Sequence, residues 1–444
     1  MNLKHKFLAS AIGLVGLATV AMPAQAQTEI QWWHAMAGAL GERVNDLAAR
    51  FNASQKEYKV VPVFKGSYPE AMAAGIAAFR AKNPPHILQV FEVGTATMMS
   101  AKGAIVPVHE VMSKNDKTWN ANGYIPAVTG YYSDSKGKML SMPFNSSTTV
   151  MYLNNDAFKK AGLDPAKPPK TWRDVQEASL KLRNVAQMAC GYTTGWQSWV
   201  HLENFGAWHN LPFATLENGF AGTNTKLVFN DLERVRHIST LSSWVKSGLF
   251  TYGGRRNEAE AKFFSGECGM LTSSSAAYAN IKKNAKFDFS VVQLPYYEEV
   301  AGAPQNTIIG GASLWVMAGK KPAEYNGVAR FFEFLASPPI QSEWHQQTGY
   351  LPLTVGAYDT TQKAGFYTQN PGTDTSVKQM TNKKPTANSK GLRLGNFVQI
   401  RDVIDEELEL VWADKKAPKQ ALDDAVKRGN ELLHKFEQVN KGKI

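Results

Sequence analysis

Five short polar loops carry the groups best suited to holding a small polar ligand: KGSY at 65–68, FEVG at 91–94, NSST at 145–148, TSSS at 272–275 and IIGGAS at 308–313. Their glycines and serines offer backbone N–H groups and hydroxyls, the neutral donors an anion needs. Any one such loop is by itself an ordinary turn, and it is their number, each beside an apolar strand, that suggests a site. A sixth stretch, GWQSWVHLENFGAWHN at 195–210, gathers Trp196, Trp199 and Trp208 around one carboxylate, Glu203. Trp196 and Trp199 lie three apart, which reads either as helical core packing or as an apolar wall excluding water from a polar site. Trp208 reads as core.

Bond-making chemistry is not written in these residues. The chain lacks a G-x-S-x-G elbow, a P-loop, an H-E-x-x-H pair and a dinucleotide-binding glycine pattern. Its nine histidines are scattered, and His201 and His209 miss the i,i+4 spacing of a metal site. No catalytic residue, metal or cofactor is therefore expected. Cys190 and Cys268 each precede a predicted strand. They read as a structural disulfide or as an inert buried thiol pair, with a catalytic thiol the weakest of the three.

The elements that must position these loops alternate between strand and helix. TEIQWWHAM is a short strand entering a turn, and Val44, Leu47, Ala48 and Phe51 mark the apolar face of the following helix. YKVVPVFKG is a strand, EAMAAGIAAFRAKNPP a helix stopped by its prolines, and HILQVFEVG a strand apolar enough for a buried parallel sheet. Thr171 is a candidate N-cap. Phe397, Ile400, Ile404, Leu408 and Val411 form one helical stripe, and Pro418 opens a last helix. This alternation predicts an α/β fold with helices on both faces of a sheet. The polar stretch at Asn145–Thr149 reads as a crossover, so two lobes stitched by several crossings are expected.

Lys4 and Lys6, the apolar run from Phe7 to Val20 and the small-residue Ala24-Gln25-Ala26 site predict a signal peptide over 1–26 and export to the periplasm. No later stretch supplies the ~20 apolar residues of a membrane span. About 418 residues then remain, more than the ~250–300 that share one core. The formal charge of +11 hints at anionic ligands, while the absence of a Lys/Arg block argues against nucleic acid.

PFNSST, YLNNDAF, IIGGASLWVM, EWHQQTGYLPLT and APKQALDDAVKRGNELL resemble the extracellular solute-binding proteins of ABC importers. More narrowly, KGSY, QVFEVGTATMMSAKGAI, GYYSDSKGKMLSMPFNSST, GWQSWVHLENF and KGLRLGNFVQIR are similar to the glycerol 3-phosphate-binding branch of that family. The resemblance implies a two-lobed periplasmic-binding-protein fold of type II with a ligand cleft at the hinge crossings. It implies a protein, monomeric when free, that carries sn-glycerol 3-phosphate to membrane permease subunits served by a cytoplasmic ATPase.

Carried over by motif, Tyr68, Glu92, Ser147, Trp196, Trp199, Ser274, Gly311, Tyr350 and Arg401 contact the ligand. Arg401, the two tyrosine hydroxyls, Ser274 and the Gly311 N–H would hold phosphate, and Glu92 with Ser147 the glycerol hydroxyls. Without the resemblance, Arg401 reads as a surface ion-pair residue. Two alternatives are glycerophosphodiesters such as glycerophosphocholine, whose choline could face Trp196 and Trp199, and a secreted phosphoester hydrolase. The division expected along the chain is first lobe 27–145, second lobe 146–273, first lobe again 274–338, and second lobe with C-terminal helices 339–444.

Overall fold

The computed structural model describes residues 27–115 and 119–440. The signal segment 1–26 lies outside the described residues. Among the described residues ten strands form two sheets. The first contains β1 (Thr28–His34), β2 (Tyr58–Phe64), β3 (Ile87–Phe91), β4 (Ile105–Val106), β5 (Met142–Ser147) and, far along the chain, β10 (Gly310–Met317), in the order β2-β1-β3-β10-β4 with β5 also on β10. The second contains β6 (Thr149–Asn154), β7 (Cys190–Thr194), β8 (Cys268–Ser274) and β9 (Phe289–Val292), in the order β7-β8-β6-β9.

The expected α/β, two-lobed architecture is present, but the sheets are mixed. All five residues of β3 are buried, as its apolar sequence requires of a strand covered on both faces. It runs parallel to β1 and antiparallel to β10. In the helix Gly38–Ser54 the buried residues are Val44, Leu47, Ala48 and Phe51, one face at helical spacing. The helix Trp172–Asn184 begins with a capping box: Thr171 Oγ1 accepts from the Asp174 N–H, and Asp174 accepts from the Thr171 N–H.

Only Thr148 separates β5 from β6, so one residue carries the chain between sheets. Its hydroxyl donates to the carbonyl of Ile308 at 2.8 Å, just ahead of β10, where the chain comes back. The two crossings are thus tied together where the sheets adjoin.

The return to the first lobe differs from the expected position at 274. TSSS looks like a loop because its side chains are small and polar, yet Thr272 to Ser274 pair with Met151 to Thr149 inside the second sheet, and β9 adds to the same sheet. The chain rejoins the first sheet only at β10. Beyond 339, Ile340, Trp344, Leu351 and Leu353 still pack with Trp32, Phe144 and Phe331 in the first lobe. The stripe Phe397, Ile400, Ile404, Leu408 and Val411 packs with Trp172, Tyr192 and Trp244 of the second lobe.

Cys190 and Cys268 stand opposite each other on β7 and β8 and are joined as a disulfide. Among the described residues no helix is long and apolar enough to cross a membrane.

Candidate ligand-binding cleft

Between the two sheets lies a cavity of about 280 Å³. Tyr68, Glu92, Ser147, Trp196, Trp199, Ser274, Gly311, Tyr350 and Arg401 all line it. Nine residues spread over 334 positions of sequence meet because strand ends and helix starts of both lobes converge there. Ser147 ends β5, Ser274 ends β8, Gly311 is the second residue of β10 and Tyr68 opens the helix Tyr68–Arg80.

Each position has a local cause. Tyr68 is stacked on Phe91 at 5.2 Å between ring centroids, and its hydroxyl accepts from Asn145 Nδ2 at 2.8 Å. Asn145 Oδ1 in turn accepts from Gln89 Nε2 at 2.8 Å, and Gln89 Oε1 accepts from the Ala35 N–H. This relay fixes the phenol by bonds to three first-lobe strands or their ends. Burial, with the Tyr350 hydroxyl close by, holds the Tyr68 phenol well above its ordinary pKa, and burial pushes Tyr350 up to about 12. Both hydroxyls therefore keep their protons at neutral pH and can donate to an anion.

Gly311 has φ +83°, and a Cβ there would lie 1.9 Å from the Asn145 carbonyl oxygen. Only glycine brings this backbone so close to β5. At Gly310 a Cβ would lie 2.2 Å from Trp199 Cζ2, so the missing side chain is what lets the indole lie over β10. Trp199 belongs to a turn of π-helix, Trp199–Asn204, and Trp196 sits before it in the left-handed region at φ 52°. These two tryptophans form a wall of the cavity, while Trp208 is core, its indole N–H donating to the Leu294 carbonyl.

Arg401 departs from the surface ion-pair reading and lines the cavity, where two carboxylates hold it. It is neither a surface residue nor a free cation. Its side chain is 9% exposed; Nε donates to Glu203 Oε1 at 2.7 Å, and Nη2 reaches Glu203 Oε2 at 2.7 Å and Glu92 Oε1 at 2.6 Å. Ser198 Oγ also donates to Glu203 at 3.0 Å. The carboxylate amid the tryptophans is therefore the bidentate partner of Arg401. Burial raises the Glu92 carboxyl above its ordinary range, opposed by Arg401. The Arg401 guanidinium loses to burial but gains more from Glu203 and Glu92, so its pKa is raised. The triad carries two carboxylates for one guanidinium.

The RLGN stretch supports Glu92 from behind. The Tyr131 hydroxyl lies 3.0 Å from the Glu92 carbonyl and 2.7 Å from that of Leu392, and Arg393 Nη2 donates to the Tyr131 carbonyl at 2.6 Å.

Arg256, Asn257, Glu260 and Asn280 also line the cavity and are absent from the expected set. The only sequence signal for the first three is GGRRNEAE at 253–260, a charged loop not adjacent to an apolar strand. Arg255 is engaged bidentately by Glu409 at 2.9 and 2.6 Å. Glu260 is buried, receives a hydrogen bond from Ser273 Oγ at 3.2 Å, and is pushed up to about 7 by burial. Among the described residues no histidine or cysteine lines the cavity.

Residues 46–375 match the family model of bacterial extracellular solute-binding proteins. The chain is 55% identical over 439 residues to the sn-glycerol-3-phosphate-binding periplasmic protein UgpB of Pectobacterium atrosepticum, covering 99% of this chain and 98% of that protein. It is also 55% identical over 436 residues to the protein of the same name from Escherichia coli, covering 98% and 99%. Its fold superimposes on UgpB from Mycobacterium tuberculosis in complex with glycerophosphocholine with a TM-score of 0.77 at 18% identity, covering 93% of this chain and 100% of that one. The GacH receptor of Streptomyces glaucescens gives 0.76 at 16% identity over 92% and 99%. By its matched family model and these full-length relatives, the chain belongs to the bacterial extracellular solute-binding proteins.

Proposed function

We propose that this protein is the periplasmic binding component of an ABC importer, capturing sn-glycerol 3-phosphate in the cleft between its lobes and delivering it to the membrane permease. The observation that carries this reading is the convergence of all nine motif-matched residues on one cavity. The relatives that share 55% of its sequence bear the name of that ligand. Periplasmic residence follows the same relatives and the signal-like segment 1–26.

In this reading the Tyr68 and Tyr350 hydroxyls, Ser274 and the Gly311 N–H donate to phosphate oxygens. Glu92, held by Arg401, accepts from a glycerol hydroxyl with Ser147 beside it. Trp196 and Trp199 exclude water, which strengthens each polar contact. Bending at the Thr148 and Ile308 crossings closes the lobes over the ligand. In this reading the protein binds its ligand rather than turning it over, in keeping with relatives that are named binding proteins.

A second reading, binding of glycerophosphodiesters, is favoured by one feature. The buried Glu260 also lines the cavity, as do Trp196 and Trp199, whose rings would suit the cation of a choline ester. Calorimetric titration with sn-glycerol 3-phosphate, glycerophosphocholine, glycerol and inorganic phosphate tests both. Saturable binding of a phosphate ester with no detectable binding of glycerol is expected. Equal affinity for glycerol and glycerol 3-phosphate overturns the proposal.

A further inference from the structure

An anionic ligand requires a positive charge that the protein has not already neutralised, and the obvious cation of this cleft does not supply one. Two guanidinium groups line the cavity, Arg256 and Arg401. Arg401 is bound to Glu203 and Glu92 at 2.6–2.7 Å, so the triad as a whole offers an anion no unneutralised positive charge. Arg256 is the opposite case. Among the described residues no carboxylate lies within ion-pairing reach of its guanidinium, although its neighbour Arg255 is paired with Glu409.

Asp402 feels the Arg256 charge, which opposes the upward push of burial on its carboxyl, but the two form no ion pair, and the other acidic neighbours are engaged elsewhere. Glu70, across the cleft, accepts from the N–H and Oγ of Ser67 at 2.6 and 2.7 Å to cap its helix. Glu258 accepts from the Arg256 backbone N–H at 2.7 Å. Glu260 is tied to Ser273 and is itself held toward the neutral acid by burial.

The backbone that presents Arg256 is fixed. Its carbonyl accepts from the Trp196 N–H at 2.8 Å, and Gly195 allows that approach, since a Cβ there would lie 2.8 Å from the same oxygen. Arg256 is therefore anchored to the tryptophan wall in the second lobe, facing Gly66, Ser67 and Tyr68 of the first across the same cavity.

We infer that Arg256, rather than Arg401, supplies the free positive charge that selects a phosphate group in this cleft. The inference rests on the proposed function and names the residue that reads the charge. Arg401 then acts on the other end of the ligand, holding Glu92 in place for a hydroxyl. A guanidinium suits the task because its planar donors match two phosphate oxygens.

The test is calorimetric titration of the full mature chain with sn-glycerol 3-phosphate at low and moderate salt, for wild type, Arg256→Ala, Arg256→Lys and Arg255→Ala. Arg256→Ala is expected to lose at least about tenfold in affinity, and most of its salt dependence with it, because a contact charge is removed. Arg256→Lys recovers part of the affinity. Arg255→Ala, whose charge is already neutralised by Glu409, stays within twofold of wild type. The backbone bonds of Arg256 do not use its side chain, so the ligand-free thermal midpoint of Arg256→Ala stays near that of wild type. Wild-type binding with Arg256→Ala unchanged overturns the inference alone, and so does an equal loss in Arg255→Ala, which would mark a diffuse field. Absence of wild-type binding overturns the proposed function and this inference together.

Discussion

Arg401 and Glu92 meet at 2.6 Å across the cleft, Glu92 at the end of a first-lobe strand and Arg401 on a helix packed into the second-lobe core. The pair joins the two lobes, and Glu203 completes it from the same lobe as Arg401. Ligand selection and lobe geometry thus share one buried charge group.

Arg401→Ala is expected to destabilise the ligand-free protein as well as weaken binding. It leaves Glu92 and Glu203 buried without a counter-charge, and removing one partner of a buried pair costs about 3–5 kcal/mol. Arg401→Lys recovers only part, because an ammonium cannot reproduce the bidentate grip on Glu203. Urea unfolding without ligand checks this; an unchanged midpoint in the alanine variant would mean that the triad is not intact in solution.

Gly310→Ala is expected to weaken binding with little effect on overall folding. Its methyl would sit 2.2 Å from Trp199 Cζ2, so the indole must swing away from β10 and open the wall. Trp196→Ala removes the neighbouring part of the wall. In wild type, saturating glycerol 3-phosphate is expected to change tryptophan fluorescence, and the change is expected to shrink in both variants. Wild-type titration curves from folded Gly310→Ala and Trp196→Ala would return both tryptophans to the ordinary core.

The pH dependence of stability carries a signature of Glu260. Burial raises its carboxyl from 4.5 to about 7, so the fold favours the neutral acid. The stability this gives is complete below about 4.5 and is lost as pH rises through about 7. Asp405, raised to about 7 by burial, acts in the same direction. Buried His201 and His209, lowered by burial to about 3 and about 4, act in the opposite direction. The difference between wild type and Glu260→Gln isolates the carboxyl: wild type is expected to lose stability relative to the variant between pH 5 and 8. A difference that stays flat over that range contradicts the assignment.

Elements whose evidence is local were legible in the sequence. The faces Val44/Leu47/Ala48/Phe51 and Phe397/Ile400/Ile404/Leu408/Val411 are buried as their spacing requires, and Thr171 caps its helix. Seven of the nine site residues lie in the polar loops and the tryptophan stretch that the sequence singles out, whereas Tyr350 and Arg401 were legible only through motif resemblance, since nothing local to them points at a common cavity. What escaped the sequence depends on partners far away in the chain. The bonding of Arg401 involves residues 198 and 309 positions distant. TSSS resembles a crossover because its strand is polar, and only pairing with β6 reveals it as sheet. Arg256 stands out only once Arg255 is seen to be neutralised and it is not.

Cys190 and Cys268 close a loop of 78 residues in sequence separation between two buried strands. Replacing both by alanine is expected to lower stability by about 2–4 kcal/mol, mainly by freeing the unfolded chain. Affinity is expected to stay near wild type, because neither residue lines the cavity. Chemical denaturation and titration of the double variant check the two halves separately; a large loss of affinity at retained stability would contradict the purely structural role.

The most direct measurement of the central claim is a crystal structure of the protein with sn-glycerol 3-phosphate. The account predicts ligand density in the cavity between the sheets, with phosphate among Tyr68, Tyr350, Ser274 and Gly311 and within reach of Arg256, and a glycerol hydroxyl on Glu92. An empty cleft at saturating ligand, or phosphate bound away from these residues, would contradict it.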